Sequence, residues 1–440
     1  MVENTEGVHA CDIAIVGAGA AGLAAGIFAA EAAAAGALRI VLVDGAEKIG
    51  AKILISGGGR CNVTHDEIHV SDFNGAKPVV RNILAAFDAG AAVRWFARLG
   101  VELKREETGK LFPVTDKART VLDALLRRCL ELNVAVLPGH RVHAVGSAAG
   151  GFLVEHTRGR LRARCVVMAT GGRSLARTGS DGSGWSIVRH LGHRVTETHA
   201  ALVPLVVTQT MFHADLSGLS QQVELSTFAD GKLIDRRTGS LLWTHFGISG
   251  PVVMDASRHW VIAQAAQRRV EMRCSFVPAQ RFEQVVRWLI DRAKAQPRLS
   301  LRKCLAAKVP ERFAAALAHA TGIDPVTPVG QLAREPRRAL VHALTNFVLP
   351  IERHRGWDFA EVTAGGVPLE EINYRTMESR QVPGLYLIGE MLDCDGRIGG
   401  YNFQWAWATG YLAGRAAARA SLTNNPITVP EGSSSLLGTA

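Results

Sequence analysis

The 440 residues contain no C-x-x-C pair, and their cysteines, at positions 11, 61, 129, 165, 274, 304 and 394, are odd in number. That spacing argues against a disulfide framework and against a structural zinc site. A reducing cytoplasm is the expected compartment. No apolar run reaches the length of a membrane span, so no membrane partner is expected. The nearest run, Ala18 to Ala37, is rich in alanine and glycine and reads as a buried helix. Met1 to Ala10 has neither a basic start nor an apolar core, so no secretory signal is expected. No internal repeat is present.

What is present is ordinary for a globular α/β enzyme. The hydrophobic fraction is 48%, the charged fraction 20%, and glycine numbers 45. The length suits two or three domains better than one. The charge balance is basic, at +10 with a pI near 9.5. One reading is a solvated arginine-rich surface. The other is attraction to nucleic acid or an anionic substrate. Arginines gather at Arg127-Arg128, Arg158 to Arg164, Arg236-Arg237 and Arg334 to Arg338. They are not interleaved with aromatics and match no RNA-binding motif, so nucleic acid stays an open partner beside a small-molecule substrate. Oligomeric state is left open.

The apolar run Asp12 to Val16 predicts a buried parallel strand. Ala20 to Ala35 follows as an alanine-rich helix, and Arg39 to Val43 as a second strand, which completes a βαβ unit. Helical patterns cover Pro78 to Leu99 and Ala118 to Leu132. Val134 to Leu137 reads as a strand. Arg141 to Val145, Phe152 to His156 and Leu161 to Arg164 suggest a small antiparallel meander, and Cys165 to Ala169 another buried strand. After Gly192 short strands follow over Val203 to Asp235 and Val270 to Phe276. Gln280 to Leu344 is helical, broken at Pro310 and Pro325. From Phe359 the glycine-rich α/β style returns, with a strand at Leu385 to Ile388 and a helix at Phe403 to Ala418.

The expected fold class is therefore α/β. A Rossmann-like domain is split between residues 11–195 and 358–420. A β domain (196–278 and 345–357) is inserted in it and carries a helical subdomain (279–344). Residues 421–440 read as a disordered tail.

The chemistry begins at Gly17-Ala18-Gly19-Ala20-Ala21-Gly22. In a strand–turn–helix the first glycine permits the tight turn, the second lets backbone approach a pyrophosphate, and the third lets helix and strand pack closely. The helix start then offers unpaired N–H groups to phosphates. Asp44 ends the second strand 22 residues after Gly22, placed to accept ribose hydroxyls and to repel a 2′-phosphate. FAD or NAD is expected there rather than NADP.

Ser56-Gly57-Gly58-Gly59-Arg60-Cys61-Asn62 is either a flexible tip or a close backbone approach to a flat ligand. Arg60 could supply fixed positive charge and Asn62 amide hydrogen bonds. Cys61 reads as a small buried filler, and a redox-disulfide role is weak because no partner cysteine lies nearby in sequence. Thr170-Gly171-Gly172 ends a strand, and Gly179 to Gly184 opens a helix. Gly389-Glu390 follows the Leu385 strand, and Gly399-Gly400 precedes Tyr401-Asn402-Phe403. A helix start beside a flavin N1–C2=O edge would stabilise the anionic reduced ring.

Together these residues resemble the BaiN/RdsA-like bacterial FAD-dependent oxidoreductases, a family that includes aminoacetone-oxidase-like flavoproteins. The resemblance spans about residues 11 to 418. Besides the glycine segments it rests on Leu111-Phe112-Pro113, Thr244-His-Phe-Gly-Ile-Ser-Gly-Pro251, Glu361-Val-Thr-Ala-Gly-Gly-Val367, Thr376-Met-Glu-Ser379 and Gly389-Glu-Met-Leu-Asp-Cys-Asp-Gly396. It implies a split FAD domain with a small β-barrel insert bearing helices. It implies that Gly17, Gly19, Ala21, Gly22 and Asp44 hold the ADP half of FAD. Lys52, Ser56, Gly58, Gly59, Arg60, Cys61 and Asn62 would run along the pyrophosphate and flavin. Val142 would pass the adenine through its backbone. Thr170 and Gly171 would lie by the cofactor, and Gly389, Glu390, Gly400, Tyr401, Asn402 and Phe403 by the isoalloxazine. Asp44 departs from the more usual glutamate, which changes reach rather than role.

Flavin chemistry is hydride or electron transfer at N5. Candidates to face the reacting centre are His245, Ser249, Tyr401 and Asn402. His245 reads either as an acid–base group or as a local turn-former that hydrogen-bonds within its loop. No second Gly-x-Gly-x-x-Gly with a following strand acid occurs, so NAD(P)H as a transient reductant would bind in the substrate cleft. The reaction expected is NAD(P)H-linked reduction or dehydrogenation of a small molecule at C=C or C–N. The alternatives are an oxidase passing electrons from a small amine to O2 and a flavin-dependent RNA base-modifying enzyme.

Overall fold

The computed structural model describes residues 8–33 and 36–423. The chain divides into two compact units: residues up to Thr198 together with those from Val362 onward, and His199–Glu361 between them.

In the first unit β1 (Val8–Val16), β2 (Ile40–Val43), β3 (Ala135–Leu137), β4 (Val142–Ala148), β5 (Gly151–His156) and β6 (Gly159–Met168) join one nine-stranded sheet. Its parallel centre runs from the strand Leu385–Leu387 through β6, β1 and β2 to β3. Ile13 to Val16 and Cys165 to Met168 are buried, as the unbroken apolar runs of a two-sided parallel sheet require. β1 begins at Val8, before the expected Asp12, because Val8 to Cys11 find backbone partners in Arg160 to Ala163. β4 and β5 form the expected meander with the start of β6. β2 lies on one side of β1 and β6 on the other. That reversal is the switch point at which open parallel sheets bind ligands, outside the carboxyl ends of their strands.

Helix α1 (Ala20–Ala32) packs against the C-terminal helix Tyr401–Thr423. A Cβ at Gly410 or Gly414 would collide with backbone atoms of Ala21 or Ala25, so small residues set how closely the two helices approach. α1 stops at Ala32 rather than Ala35, and residues 34–35 lie outside the described residues. The C-terminal helix continues through Ser421–Thr423, where Arg164 donates to the Ser421 carbonyl at 2.8 Å. The expected tail therefore begins later, and residues 424–440 lie outside the described residues. The single helix expected over Pro78 to Leu99 is two, Lys77–Ala86 and Ala89–Arg98. The cause is Asp88, whose carboxylate accepts from Ala91 N at 2.7 Å, an N-cap that starts a new helix.

In the second unit seven antiparallel strands run in the order Phe347–Leu349, Val270–Ser275, Ser220–Ala229, Lys232–Thr244, Gly247–Ser249, Leu205–Val207, Ile351–His354. The first and last strands are separated in the chain by Pro350 alone, so the sheet must curl until its edges meet, in barrel fashion. Inward positions alternate with outward ones along Ser220–Ala229, the period-two pattern of a sheet with one buried face. Helices from Phe282 to Thr345 are inserted between two neighbouring strands, Val270–Ser275 and Phe347–Leu349. Among the described residues no helix is long and apolar enough to cross a membrane.

Candidate functional site

The carboxyl edge of the parallel sheet gathers the glycine loop after β1, Asp44 after β2, Thr170-Gly171 after β6 and Gly389 after Leu385–Leu387. Gly17 has φ +105°, and a side chain there would collide with the Ala169 carbonyl. A Cβ at Gly22 would overlap the Gly17 carbonyl, whereas one at Gly19 would meet nothing within 4 Å. Two glycines are thus demanded by the protein's own packing and the middle one opens onto free space. The loop is pinned by Gly17 N donating to Val43 O at 2.8 Å and Ala18 N donating to Asp44 Oδ2 at 2.7 Å. Asp44 Oδ1 accepts from Ala46 N at 2.8 Å, and a carboxylate retains further lone pairs for a hydroxyl. α1 starts without a side-chain cap and without an acidic residue in its first turn, so its positive end stays available to an anion. Ala21 lies beneath Gly389.

Three buried polar atoms near this edge have no hydrogen-bond partner among the described residues: Asn62 Oδ1, Thr170 Oγ1 and Ser180 Oγ. Leaving such atoms unmatched is costly. The unmatched atoms, the open side at Gly19 and the uncapped helix end fit a bound dinucleotide. Val142 is buried in β4, opposite His156.

The glycine-dense segment is less open than a flexible tip. The helix Ala51–Gly59 is interrupted by non-helical backbone at Ser56, Gly57 and Gly58. Ser56 Oγ donates to Ile53 O at 2.7 Å, and Cys61 N donates to Ser56 O at 3.1 Å. Gly58 meets nothing within 4 Å on its side-chain face, and Gly59 only the Leu54 carbonyl at 3.8 Å. Cys61 is wholly buried, and burial pushes its thiol up to about 12 despite the opposing hydrogen bond with Ser56. It is a neutral filler, and all seven cysteines are buried free thiols. Arg60, expected to present fixed positive charge, is instead paired with Glu106 at 2.5 Å and Asp116 at 3.6 Å and lies over the Phe112 ring. Two nearby carboxylates offset its charge.

Lys52 and Glu390 meet each other. Lys52 Nζ lies 2.6 Å from Glu390 Oε2 and donates to Ser174 Oγ at 2.7 Å. Glu390 Oε1 accepts from Ser174 Oγ and from Thr363 N, both at 2.9 Å. The pair joins residues 338 apart in the chain.

At the start of the C-terminal helix, Gly400 packs on the Thr64 backbone, Tyr401 stacks on His65 at 4.9 Å, and Phe403 stacks on Trp407 at 5.5 Å. Asn402, expected to face the reacting centre, has its amide engaged elsewhere. Its Oδ1 accepts from Gly396 N at 2.8 Å and its Nδ2 donates to Gly396 O and Arg397 O. That geometry makes Asn402 a positioning residue for the preceding loop.

The sequence reading missed a buried Ser–His–Glu arrangement. His193 Nδ1 lies 2.8 Å from Glu371 Oε2, and its Nε2 lies 2.9 Å from Ser379 Oγ. Ser379 Oγ also accepts from Gln381 N and Val382 N. A buried hydroxyl held by two amides is no nucleophile, so the arrangement locks the Thr376–Ser379 motif rather than hydrolysing anything. Only the motif itself signalled it in sequence.

In the second unit, His245 is exposed at the tip of a hairpin, edge-on to Phe246 at 5.2 Å. It makes no hydrogen bond among the described residues, which corrects the turn-forming reading. Thr244 Oγ1 donates to Gly247 O and shapes that turn. Ser249 is half-buried against Met254 Sδ at 3.9 Å. A second polar cluster joins Asp235 and Arg237 to Asp255 and His259. Burial, opposed by Asp235 and assisted by Arg237 and Arg258, pushes the His259 imidazole down to about 4.

Residues 11–416 match the family described as HI0933-like protein Rossmann domain. The 3-dehydro-bile acid delta(4,6)-reductase of Clostridium scindens is 35% identical over 407 residues, covering 92% of this chain and 98% of the relative. The ribosomal RNA dihydrouridine synthase of Escherichia coli K12 is 32% identical over 406 residues, covering 91% and 96%. Among solved structures, E. coli quinol fumarate reductase superposes with TM-score 0.52 at 18% identity, over 96% of this chain and 72% of that one. A 3-ketosteroid delta1-dehydrogenase from Sterolibacterium denitrificans gives TM-score 0.51 at 14% identity, over 94% and 100%. At such identities the likeness is one of fold.

Proposed function

The chain belongs to the HI0933-like family and is an FAD-dependent oxidoreductase, and from that premise we propose that it saturates a carbon–carbon double bond conjugated to a carbonyl. One observation carries this reading. Two relatives matched nearly end to end are named for different substrates, yet both names describe the same bond change. A 3-oxo compound with a delta-4 double bond and a uracil ring each present C=C next to C=O.

When bound, FAD supplies the hydride at N5. The chain's own part is to hold the cofactor, polarise the carbonyl and deliver one proton to the carbon beside it. The carboxyl edge of the first unit offers the cradle, with Gly19 and α1 for the pyrophosphate and Asp44 for the ribose. Thr170, Asn62 and Ser180 offer unmatched polar atoms to the rest of the cofactor. Lys52 and Glu390 neutralise each other, so their role is positional. His245 is our candidate proton donor, supported by an exposed imidazole that makes no hydrogen bond among the described residues. NAD(P)H is the proposed reductant, with no dedicated nucleotide domain of its own.

The test is anaerobic. The purified protein is mixed with NADH or NADPH and the visible flavin band is followed, then a cyclic enone is added. Bleaching by a nicotinamide and recovery on adding the enone support the reading. Recovery with oxygen alone would transfer the chain to the oxidase class. His245→Gln should lower the enone-dependent step while leaving nicotinamide bleaching intact.

A further inference from the structure

Arg355 stands in the second unit, just beyond the strand Ile351–His354, and is half-buried. Its guanidinium carbon lies 4.1 Å from the centre of the Phe246 ring and 3.7 Å from that of Phe359. A guanidinium is weakly hydrated and stacks readily on aromatic rings. Its N–H groups lie in its own plane and still need acceptors. Arg60 and Arg273 also lie over a ring, and each has a carboxylate, Glu106 or Glu271. Among the described residues the Arg355 side chain has no hydrogen bond and no ion pair.

The backbone beneath this side chain is held on several sides. Arg355 N donates to Pro204 O at 2.9 Å, and Phe359 N to Gly356 O at 3.2 Å. Gly356 turns the chain at φ +98°, and its N–H donates to His354 Nδ1 at 3.1 Å. Burial, assisted by Arg353 and His199, pushes the His354 imidazole down, which keeps that nitrogen able to accept. Phe246 is fixed as well. It sits in the turn that Thr244 Oγ1 closes on Gly247 O at 3.0 Å, and its carbonyl accepts from Val207 N at 3.4 Å. The strand Leu205–Val207 pairs with both Gly247–Ser249 and Ile351–His354, so one strand sets the spacing of the two ring-bearing loops.

A cation ordered in this way without a counter-charge is unfavourable for the folded chain alone, because its half-burial removes water. Glu352 and Asp358, the acids nearest in sequence, are exposed, and among the described residues neither lies at ion-pair distance. An oxyanion supplies the acceptors that the chain does not. Two parallel N–H groups of a guanidinium match two oxygens of a carboxylate or phosphate. A side chain already ordered by two rings also loses less freedom on binding. His245 meets the same Phe246 ring edge-on at 5.2 Å, so a second polar side chain flanks the guanidinium.

We propose that Arg355 binds an oxyanionic group, a carboxylate or a phosphate, carried by a small ligand of this enzyme. Within the reductase reading above, on which the choice of sources rests, two ligands offer that chemistry: a 2′-phosphate on the nicotinamide reductant and a carboxylate on the enone. Arg355 then sets which ligand is preferred and takes no part in bond making.

The test uses the FAD-loaded full chain, so that the glycine loop is not open to the added anion. Inorganic phosphate and benzoate are titrated against melting temperature at constant ionic strength, with chloride as the reference. Each should raise the melting temperature of the wild type more than chloride does. Arg355→Gln should lose that increment, and Arg355→Lys most of it, since an ammonium keeps the charge without the fork. Phe359→Leu, at an exposed position, should weaken binding by about threefold. Turnover then separates the sources, with NADPH compared against NADH and a carboxylated cyclohexenone against cyclohexenone. In Arg355→Gln the preference for the ligand that carries the oxyanion should fall at least about tenfold, through KM rather than kcat. Undiminished stabilisation of Arg355→Gln by both anions marks an adventitious ion only and overturns the site. An equal loss for all four ligands, as a merely structural arginine would give, overturns it too. The two proposals fail separately. Anion binding at Arg355 without enone reduction leaves the site and removes the reductase; enone reduction without anion-dependent stabilisation does the opposite.

Discussion

The two units place their charge in opposite ways. The first holds 29 Lys and Arg against 26 Asp and Glu, and its site cations are paired: Lys52 with Glu390, Arg60 with Glu106. With those side chains offset by partners, the anion-binding power of its sheet edge comes from backbone N–H groups and a helix end. The second unit pairs cations in and beside its sheet, such as Arg237 with Asp235 and Arg268 with Asp230, but among the described residues its inserted helices, residues 279–344, leave all of their Lys and Arg except Arg302 without a carboxylate at ion-pair distance. A backbone cradle selects one cofactor at fixed geometry, because each donor is held by the fold. Exposed arginines on helix surfaces instead carry their charge on long side chains with many rotamers. The difference is one of rigidity as much as of charge.

The sharpest way to break this comparison lies in the glycine loop. Gly22→Ala forces a Cβ into the Gly17 carbonyl and should cost about 3 kcal/mol or more, seen as a lower denaturation midpoint together with loss of bound flavin. Gly19→Ala meets nothing within 4 Å, so stability should stay within about 0.5 kcal/mol. Its FAD affinity should still fall at least tenfold, about 1.4 kcal/mol, by titration of the apoprotein. Wild-type affinity in Gly19→Ala would show that the loop is not the pyrophosphate cradle.

The next effect concerns the paired cations. Lys52→Met strands the Glu390 carboxylate, which lies among Ser174 and Thr363. Side-chain exposures of 28% and 18% leave room for water, so the loss should be nearer about 2 kcal/mol than the full cost of a dry pair. Adding Glu390→Gln to Lys52→Met should recover part of it. A double variant as unstable as the sum of the two singles would mean that the pair is not coupled.

The smallest effect is in the second unit and depends on pH. His259 is pushed down to about 4 by burial, while an unfolded histidine titrates near 6.5. Between those values the unfolded chain binds the proton that the folded chain refuses, so stability declines as pH falls from about 6.5 toward 4. His259→Gln should flatten that part of a melting-temperature profile. An unchanged profile would show that the imidazole is not buried neutral.

Much of the fold was legible because it is local. The run of apolar residues from Ile13 to Val16, the glycines that follow and the apolar strand before Asp44 each follow from short-range sterics and periodicity. The divided helix at Asp88 was also legible in principle, since Asp followed by alanines is a cap signal. The apolar spacing that continues through Phe87 masks that signal. The engagement of Asn402 was less legible. A loop amide before a helix reads as a ligand contact until the backbone at Gly396 is seen folding back on it.

The loop on which the cofactor assignment rests was therefore determined by sequence alone: the order strand, Gly17, Gly19, Gly22, helix, strand, Asp44 admits few other structures. Tertiary structure alone decided which charges remain free. Lys52 finds Glu390 across 338 residues, and His193 finds Glu371 across 178. Coulomb energy depends on distance in space, and sequence spacing fixes that distance only within a turn or two of helix.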